Sequence, residues 1–408
     1  MLSARLTGDS VMITTVFEQI LGFKEICVDQ VELQEKRINI YCSSTLKESL
    51  CPTCLKKRQQ VNQTYQRQIR DLSITGKEVY LYLTQRQFYC PDSDQHFTER
   101  FSFVESGKTM TKRYEKYVYE LCKNTTLQKV SAQENIVWNT LDDIFKRYSE
   151  EELNQARKES SKVRVVGMDE FAMKKGHKDF ATVIVDLEHI EIIDILDYRD
   201  KEKLINYFNQ KGIQWCHQVE VFCSDRWEGF ISTAQAVFPQ AVMVVDRFHF
   251  FQYMNKAVDN QRKHLRKICK DYDEFKHLKW ALLKNRSALT DDEKKKLKRA
   301  FFLAPELKAL YDQKEKLRDI FEQHLTKEQA QQQIDQWIEN AKKLNNKYLN
   351  NFLKTFNNWK DYVLNYFTYR FTTSIIEGIN NSIKTIKRMC FGFRNFQNFK
   401  NRVLLSFI

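Results

Sequence analysis

Two β-branched runs in this chain each end in an aspartate, and they constrain the fold more than any other feature. The first run, VRVVGMDEF, ends at Asp169, and the second, VEVFCSDRW, ends at Asp225. Short apolar runs of this kind predict buried strands. A third segment, TTSIIEGINNSIKTIKR, has helical spacing and carries Glu377. Two acids at strand ends and one on a distant helix would meet at the edge of an α/β sheet, with the carboxylate oxygens that hard cations prefer.

The segments around these acids predict a mixed α/β sheet. Three successive strands are predicted over VRVVGMD, FATVIVDLEH and EIIDILDY, and two more over VEVFCSD and AVMVVD, with helices over KEKLINYFNQ and WEGFISTAQAVF. Hairpins followed by alternating strands and helices are typical of mixed sheets. From 251 to 370 one-sided apolar stripes predict a helical insertion, in which capping-box spacing at Thr290 and Thr326 marks two helix starts.

Residues 1–107 predict a small β-rich, zinc-finger-like module. Cys51-Pro-Thr-Cys54, followed about one hairpin later by Cys90, has the arrangement that a tetrahedral zinc ion requires. The fourth ligand would then come from one of three nearby side chains, His96, Asp94 or Cys42. The alternative is a reduced knuckle without metal, because a second Cys-x-x-Cys pair is missing.

Residues 108–160 predict three short helices, with a break at Glu134-Asn135 that suits a helix-turn-helix. Such a unit would direct the start of its last helix toward a DNA groove, with Trp138, Asn139 and Thr140 as the contacting residues. A plain helical linker explains the spacing equally well, because this motif is a common false positive.

The net charge favours a polyanionic partner. The chain carries 66 Lys and Arg against 53 Asp and Glu, a formal charge of +13. Double-stranded DNA fits this charge, since cationic side chains release counterions from phosphates, although a basic enzyme with another substrate has the same balance. Basic residues interleaved with aromatics follow Glu377 and would hold phosphates next to the reacting bond: Lys384, Lys387, Arg388, Arg394, Lys400 and Arg402.

The absence of a long apolar run or a secretory signal predicts a cytoplasmic, nucleoid-associated protein without a membrane partner. The ten cysteines are scattered along the chain, so they are expected to be reduced thiols apart from metal ligands.

The three acids Asp169, Asp225 and Glu377 suit a two-cation site for phosphodiester chemistry, in which the cations lie about 3.5–4 Å apart. Taken singly, each acid is also explained as a helix cap, a turn residue or a solvated side chain. Asp246 rivals Asp225 for the middle position. His249, three residues after Asp246, would contact phosphate or orient an acid, and a buried structural Asp–His pair is the alternative.

Longer strings resemble one known family. VVGMDEFAMKKGHKDFATVIVDL, FPQAVMVVDRFHFFQYMNKAVDNQRK and IEGINNSIKTIKRMCFGFRNFQNFKNRVLL are similar to the core of bacterial insertion-sequence transposases of the ISL-three family, and the likeness extends upstream to CPTC. The resemblance implies a zinc-finger-like module, a helix-turn-helix, and an RNase H-like catalytic core of the DDE class at 161–250 and 371–408. It assigns Asp169 as the first acid, Asp225 as the middle one and Glu377 as the last, with Asp246 and His249 as a separate D-x-x-H signature.

The function implied by this resemblance is DNA transposition. The protein would bind the terminal inverted repeats of its element as a homodimer, cleave DNA with water activated by two Mg²⁺ ions, which Mn²⁺ can replace, and join the 3′ ends to target DNA. Two alternatives remain at this point: a DNA-binding regulator that has lost catalysis, and a structure-selective nuclease with the same core.

Overall fold

The computed structural model describes residues 9–158, 162–173, 180–225, 227–269, 273–389 and 395–408. The chain divides into two compact units, with the boundary between Asn154 and Gln155. Within the described ranges, no helix is both long enough and apolar enough to span a bilayer.

The first unit contains a β-sheet and a group of helices. Its elements in chain order are α1 (Asp9–Leu21), β1 (Ile26–Leu33), β2 (Arg37–Ser44), β3 (Ser49–Leu50), β4 (Lys57–Arg58), β5 (Val61–Ile74), β6 (Lys77–Cys90), β7 (Gln95–Thr98), α2 (Lys112–Asn124), α3 (Leu127–Glu134) and α4 (Trp138–Lys158).

The sheet of the first unit has the order β1-β2-β6-β5, and β7 pairs with β6. Strands β2 and β6 are parallel, and the other pairs are antiparallel. The long β5–β6 hairpin turns at Thr75 and Gly76, both with positive φ. Alternating apolar residues such as Ile40, Ile69 and Leu81 form the core of this sheet.

The zinc-finger-like module and the helix-turn-helix belong to one unit, whereas the sequence predicted a boundary between 107 and 108. The side chains at the end of β5 tie the sheet to the helices that follow. Arg70 donates to the backbone oxygen of Glu134 at 2.5 Å, and Asp71 accepts a hydrogen bond from Thr111 at 2.7 Å and pairs with Arg113. Because these groups are largely buried, the ion pairs and hydrogen bonds hold the two parts together.

The second unit contains a five-stranded sheet and a large helical block. Its elements are β8 (Val165–Ala172), β9 (Phe180–Asp186), β10 (Glu191–Leu196), α5 (Lys201–Lys211), α6 (Ile213–His217), β11 (Val221–Ser224), α7 (Glu228–Val237), β12 (Val242–Val245), α8 (Arg247–Ile268), α9 (Lys279–Leu283), α10 (Asp291–Leu303), α11 (Pro305–Glu322), α12 (Lys327–Lys343), α13 (Lys347–Leu364), α14 (Tyr366–Tyr369), α15 (Ser374–Met389) and α16 (Phe396–Leu405).

The sheet of the second unit has the order β10-β9-β8-β11-β12. Strands β8, β9 and β10 are successive antiparallel neighbours, whereas β11 and β12 run parallel to β8. This is the mixed sheet that the hairpins and the strand–helix alternation predicted. Together with the helical block that follows β12, it is the architecture expected for an RNase H-like core.

The helical block is continuous with the sheet rather than a separate body. Helix α8 begins at Arg247, directly after β12, so the boundary predicted between 250 and 251 falls inside this helix. Asn365, at the end of α13, donates to the backbone oxygen of Met243 in β12 at 2.7 Å. The capping boxes predicted at Thr290 and Thr326 are both present. One hydrophobic core therefore extends from the strands into the helices.

Candidate active site and nucleic-acid interface

Asp169 lies inside a strand, not at its end as the sequence predicted. Strand β8 continues to Ala172 because these last residues stay paired with β9. On the other side, β11 pairs with β8 only as far as Ser224, opposite Met168. Asp169 is therefore the first residue of β8 that is not paired with β11. Because β11 ends here, space is left beside Asp169 in which a site can form.

The register of the parallel strands brings Asp225 next to Asp169. Asp225 directly follows Ser224, and neighbouring strands lie about 4.8 Å apart. The pKa of the Asp169 carboxyl is raised to about 6, chiefly by burial and also by the Asp225 carboxylate, whereas the hydrogen bond from the Glu170 amide and the nearby His249 lower it. A cation bound between two neighbouring acids relieves their mutual repulsion and favours the ionised form of both. This pair is suited to bind divalent metal.

Helix α15 is fixed against β8 at the same position. The amide nitrogen of Asn380 donates to Oδ2 of Asp169 at 2.9 Å. A Cβ at Gly167 would lie 2.8 Å from the end of Ile376, so the absence of a side chain at 167 allows the helix to approach the strand. Glu377 is exposed and lies one turn before Asn380. The helix that carries the third acid is thus bonded directly to the first acid.

The three acids do not form one tight group. Among the described residues, the only set of three Cys, His, Asp or Glu side chains with ligand atoms all within 4.8 Å of one another is Cys51, Cys54 and Cys90. A site for a single ion would bring its carboxylates that close. Asp169, Asp225 and Glu377 are therefore not drawn together as the ligands of a single ion would be in the described part of the chain.

Asp246 has a structural role, which separates it from Asp225. It is 1% exposed. Its Oδ1 accepts from the amide of Phe248 at 2.9 Å, which caps α8, and its Oδ2 accepts from the amide of Thr373 at 2.9 Å and from the Thr373 hydroxyl. Both oxygens are therefore used to join the starts of α8 and α15. His249 lies half-buried in the first turn of α8.

Asp246→Ala is expected to lower the free energy of unfolding by about 3 kcal/mol, because it removes a helix cap and leaves the buried Thr373 amide without its acceptor. Urea denaturation followed by circular dichroism measures the change. Asp225→Ala is the matched control and should cost less than about 1 kcal/mol, since Asp225 is less buried. Equal losses in the two variants would contradict the structural role of Asp246.

The basic residues after Glu377 differ in their availability to DNA. Lys384 and Arg388 are exposed, and Lys387 donates to the backbone oxygen of Ala172 at 3.0 Å. Lys400 pairs with Asp194 at 2.6 Å, and Arg402 is only 5% exposed. In this conformation Lys400 is engaged by Asp194 and Arg402 is buried, so neither is presented to DNA phosphates, and their contact with DNA stays a prediction. Arg394 lies outside the described residues.

The helix-turn-helix presents the predicted residues to solvent. Helix α3 ends at Glu134, and the next residue, Asn135, caps it in the left-handed conformation; α4 begins three residues after Asn135. Trp138 is 44% exposed, and Asn139 and Thr140 are exposed beside it. Tyr114 donates to a carboxylate oxygen of Glu134 at 3.0 Å and so fixes the end of α3. The first turn of α4 is free to enter a groove, as a recognition helix does.

The three-cysteine cluster (Cys51, Cys54 and Cys90) forms as predicted, but none of the predicted fourth ligands joins it. His96 faces away because side chains alternate along β7, and it contacts Tyr89 instead. Asp94 accepts from the Tyr89 hydroxyl at 2.7 Å. Cys42 is part of the core of the sheet. Ser93, which the sequence reading missed, lies 3.3 Å from the Cys51 sulfur.

Two further residues were missed at the acid site, Asn380 and Gly167. Asn380 is three residues after Glu377, a spacing that places both on neighbouring positions of one helix face and could have indicated it. No pattern in the neighbouring residues distinguishes Gly167. A side chain is excluded at this position only because α15 packs closely against β8 in the folded protein.

Comparison with known proteins decides the family. A family model described as transposase, of the DDE class and the ISL3 type, matches residues 166–403, which is more than half of the chain. This protein belongs to the ISL3 family of transposases. Two further models match its first unit: a zinc finger of the transposases of IS204, IS1001, IS1096 and IS1165 over 47–93, and a helix-turn-helix domain of ISL3 transposases over 99–149.

Two relatives of this transposase carry matching names. The transposase for insertion sequence element IS1001 of Bordetella parapertussis is 27% identical over 400 residues, which cover 96% of this chain and 98% of the relative. The transposase for IS1557 of Mycobacterium tuberculosis is 23% identical over 288 residues, 64% of each chain. The protein is thus a DNA transposase, an enzyme that acts on DNA with a divalent metal, and its zinc-finger segment contains the three-cysteine cluster.

Proposed function

We propose that this transposase binds the terminal inverted repeats of its own element, cuts the DNA at the element ends and joins the freed 3′ ends to target DNA. Asp169, Asp225 and Glu377 would hold two Mg²⁺ ions, which Mn²⁺ can replace. The observation that carries the proposal is the meeting of Asp169 and Asp225 on neighbouring strands, with α15 bonded to Asp169 through Asn380.

The residues around the acids have separate roles in this chemistry. Bound cations would activate the attacking water and neutralise charge on the phosphate. Asn380 holds the Asp169 carboxylate in one orientation, and Asp246 fixes the starts of α8 and α15 so that His249 and Glu377 keep their places. Lys384 and Arg388 are positioned to contact the phosphates flanking the cut.

Recognition of the ends is assigned to the first turn of α4. Phosphate contacts position a protein on DNA, whereas base contacts in the groove determine sequence preference. We propose that the protein acts as a homodimer, because an element has two ends that must be cut together, and that it works on nucleoid DNA in the cytoplasm.

The test uses the DNA that flanks the gene. Inverted repeats found there are placed on short duplexes and incubated with the purified full-length chain, Mg²⁺ or Mn²⁺ and a plasmid target. Repeat binding, nicked ends and joined products together are the expected result. A protein that binds the repeats but never cuts is a regulator, and one that cuts without joining is a nuclease; either outcome overturns the proposal.

Asn380→Ala is expected to slow cleavage by about 10- to 100-fold, because groups that orient a metal ligand contribute that much, while repeat binding stays unchanged. The variant should also need more Mg²⁺ or Mn²⁺ for half-maximal cleavage, which a cation titration measures. Asn381→Ala, at the exposed neighbouring position, is the control and should behave as the wild type. An unchanged cation requirement in Asn380→Ala would argue against a positioning role.

Asn139→Ala combined with Thr140→Ala is expected to weaken repeat binding by about 1–3 kcal/mol through lost base contacts, with little effect on unrelated DNA. Gel-shift titrations against repeat and scrambled duplexes measure the two affinities. Lys384→Ala should instead weaken both equally and reduce the salt dependence. If the double variant loses affinity for both duplexes to the same extent, α4 does not read bases.

A further inference from the structure

The three-cysteine cluster is already close to the geometry of a zinc site. The ligand atoms of Cys51, Cys54 and Cys90 all lie within 4.8 Å of one another, and the sulfurs of Cys54 and Cys90 are 3.4 Å apart. Zinc–sulfur bonds of about 2.3 Å in a tetrahedral site place sulfurs about 3.8 Å apart. Shifts of no more than about 1 Å between these sulfurs would admit the ion.

Ser93 occupies the place of a fourth cysteine. It follows Cys90 with the same spacing that separates Cys51 from Cys54, and the zinc-finger family match ends on this residue. The Ser93 hydroxyl lies 3.3 Å from the Cys51 sulfur and also forms a hydrogen bond with Cys90. The hydroxyl oxygen of Ser93 therefore lies where the second cysteine of a Cys90-x-x-Cys knuckle would place its sulfur.

Two other polar side chains, Gln95 and Arg58, donate hydrogen bonds to sulfurs of the cluster. Gln95 donates its amide nitrogen to the Cys51 sulfur at 3.5 Å. Arg58 donates two guanidinium N–H groups to the Cys90 sulfur, at 3.4 and 3.3 Å. Such hydrogen bonds stabilise thiolates and orient them toward a metal.

Arg58 lies against both a cluster sulfur and a carboxylate. Its guanidinium donates to the Cys90 sulfur and also pairs with Asp92. A guanidinium next to a cysteine favours the thiolate, which is the form that binds metal. Arg58 therefore supports a metal-binding state of Cys90.

We propose that this module binds one Zn²⁺ through Cys51, Cys54 and Cys90, with an oxygen ligand at the fourth position, supplied by the Ser93 hydroxyl or by water that Ser93 holds. The ion then keeps one weakly held, exchangeable ligand, unlike a closed four-cysteine site. A chelator reaches it more readily, so zinc and the folding of this module are lost together. The proposal rests on the first unit alone and is independent of the catalytic assignment.

The test uses the full-length chain, loaded with Zn²⁺ for metal analysis and with Co²⁺ for absorption spectroscopy. The wild type should bind one Zn²⁺, and Ser93→Cys should bind it at least about tenfold more tightly in competition with a chromophoric chelator. The sulfur-to-cobalt absorption of Ser93→Cys should exceed that of the wild type in the ratio of four thiolates to three. Cys54→Ser should lose the ion, whereas the control Cys27→Ser, outside the cluster, should retain it.

Ser93→Ala separates the two sources of oxygen: slightly weaker binding indicates water, and a loss of about tenfold or more indicates the hydroxyl itself. Three outcomes overturn the proposal. These are a wild type without bound Zn²⁺, a wild-type cobalt spectrum as intense as that of Ser93→Cys, and a loss of Zn²⁺ in His96→Ala, which would restore His96 as the fourth ligand.

Discussion

Asp169→Asn is expected to lower DNA cleavage and joining about 1000-fold while repeat binding and folding are preserved. A metal ligand at the reacting phosphate contributes several kcal/mol, and about 4 kcal/mol corresponds to a factor of about 1000. The substitution is well tolerated by the fold, since burial already favours the neutral form of this carboxyl. The amide oxygen of Asn can still accept the hydrogen bond from Asn380. Cleavage of labelled element ends under Mg²⁺ and a gel-shift assay measure the two properties.

The same loss is expected for Asp225→Asn and Glu377→Gln. The control is Asp197→Asn, because Asp197 is an exposed acid that follows β10 at the far edge of the same sheet. It should cut DNA at the wild-type rate. Cleavage by Asp169→Asn within tenfold of the wild type would refute the assignment of this acid, and a simultaneous loss of repeat binding would mean that the variant is misfolded.

Gly167→Val is expected to reduce the free energy of unfolding by about 3 kcal/mol and to reduce cleavage about 100-fold in the protein that remains folded. A Cβ at this position would lie 2.8 Å from both Ile376 and Leu187, so the larger side chain displaces α15 from β8. A shift of about 1 Å between Asp169 and Glu377 is enough for the loss of rate. Thermal melting and the cleavage assay measure the two effects.

Gly378→Ala provides the matched control on the same helix. A Cβ there meets nothing within 4 Å, so this variant should keep full activity and gain about 0.5–1 kcal/mol from its higher helix propensity. Shortening the obstructing side chain in the double variant Gly167→Ala with Ile376→Val should recover part of the activity lost in Gly167→Ala. A fully stable and active Gly167→Val would contradict the close approach of α15.

The sequence predicted the elements with the strongest local signals. The strands around Asp169 and Asp225 are short apolar runs with clear ends, and the helix starts at Thr290 and Thr326 have capping boxes whose two hydrogen bonds are formed within four residues. Local sequence patterns failed where the extent of an element depends on its pairing or packing with another element. Helix α1 was not predicted, and Asp169 was placed at a strand end although pairing with β9 extends β8 to Ala172.

The candidate site likewise combines residues that local patterns predicted with contacts that only the structure shows. The order of acids along the chain pointed to Asp169 and Glu377, and the resemblance favoured Asp225 for the middle position. The local pattern alone did not separate Asp225 from Asp246, since both follow short apolar strands. In the structure Asp246 accepts hydrogen bonds from Phe248, two positions away, and from Thr373, 127 positions away, which gives it a structural role.

The sequence by itself therefore determined the class of this protein. Short local patterns of residues are enough to predict the mixed sheet, the helix starts, the two cysteines of one knuckle and the order of the acids. The tertiary structure decided which side chains are available for function. Docking of α15 on Gly167 brings Asn380 to Asp169, packing of α16 removes Arg402 from solvent, and pairing of β7 with β6 turns His96 away while Ser93 faces the sulfurs. The physical reason is that burial and close approach depend on partners far away in the chain, which no local pattern of residues encodes.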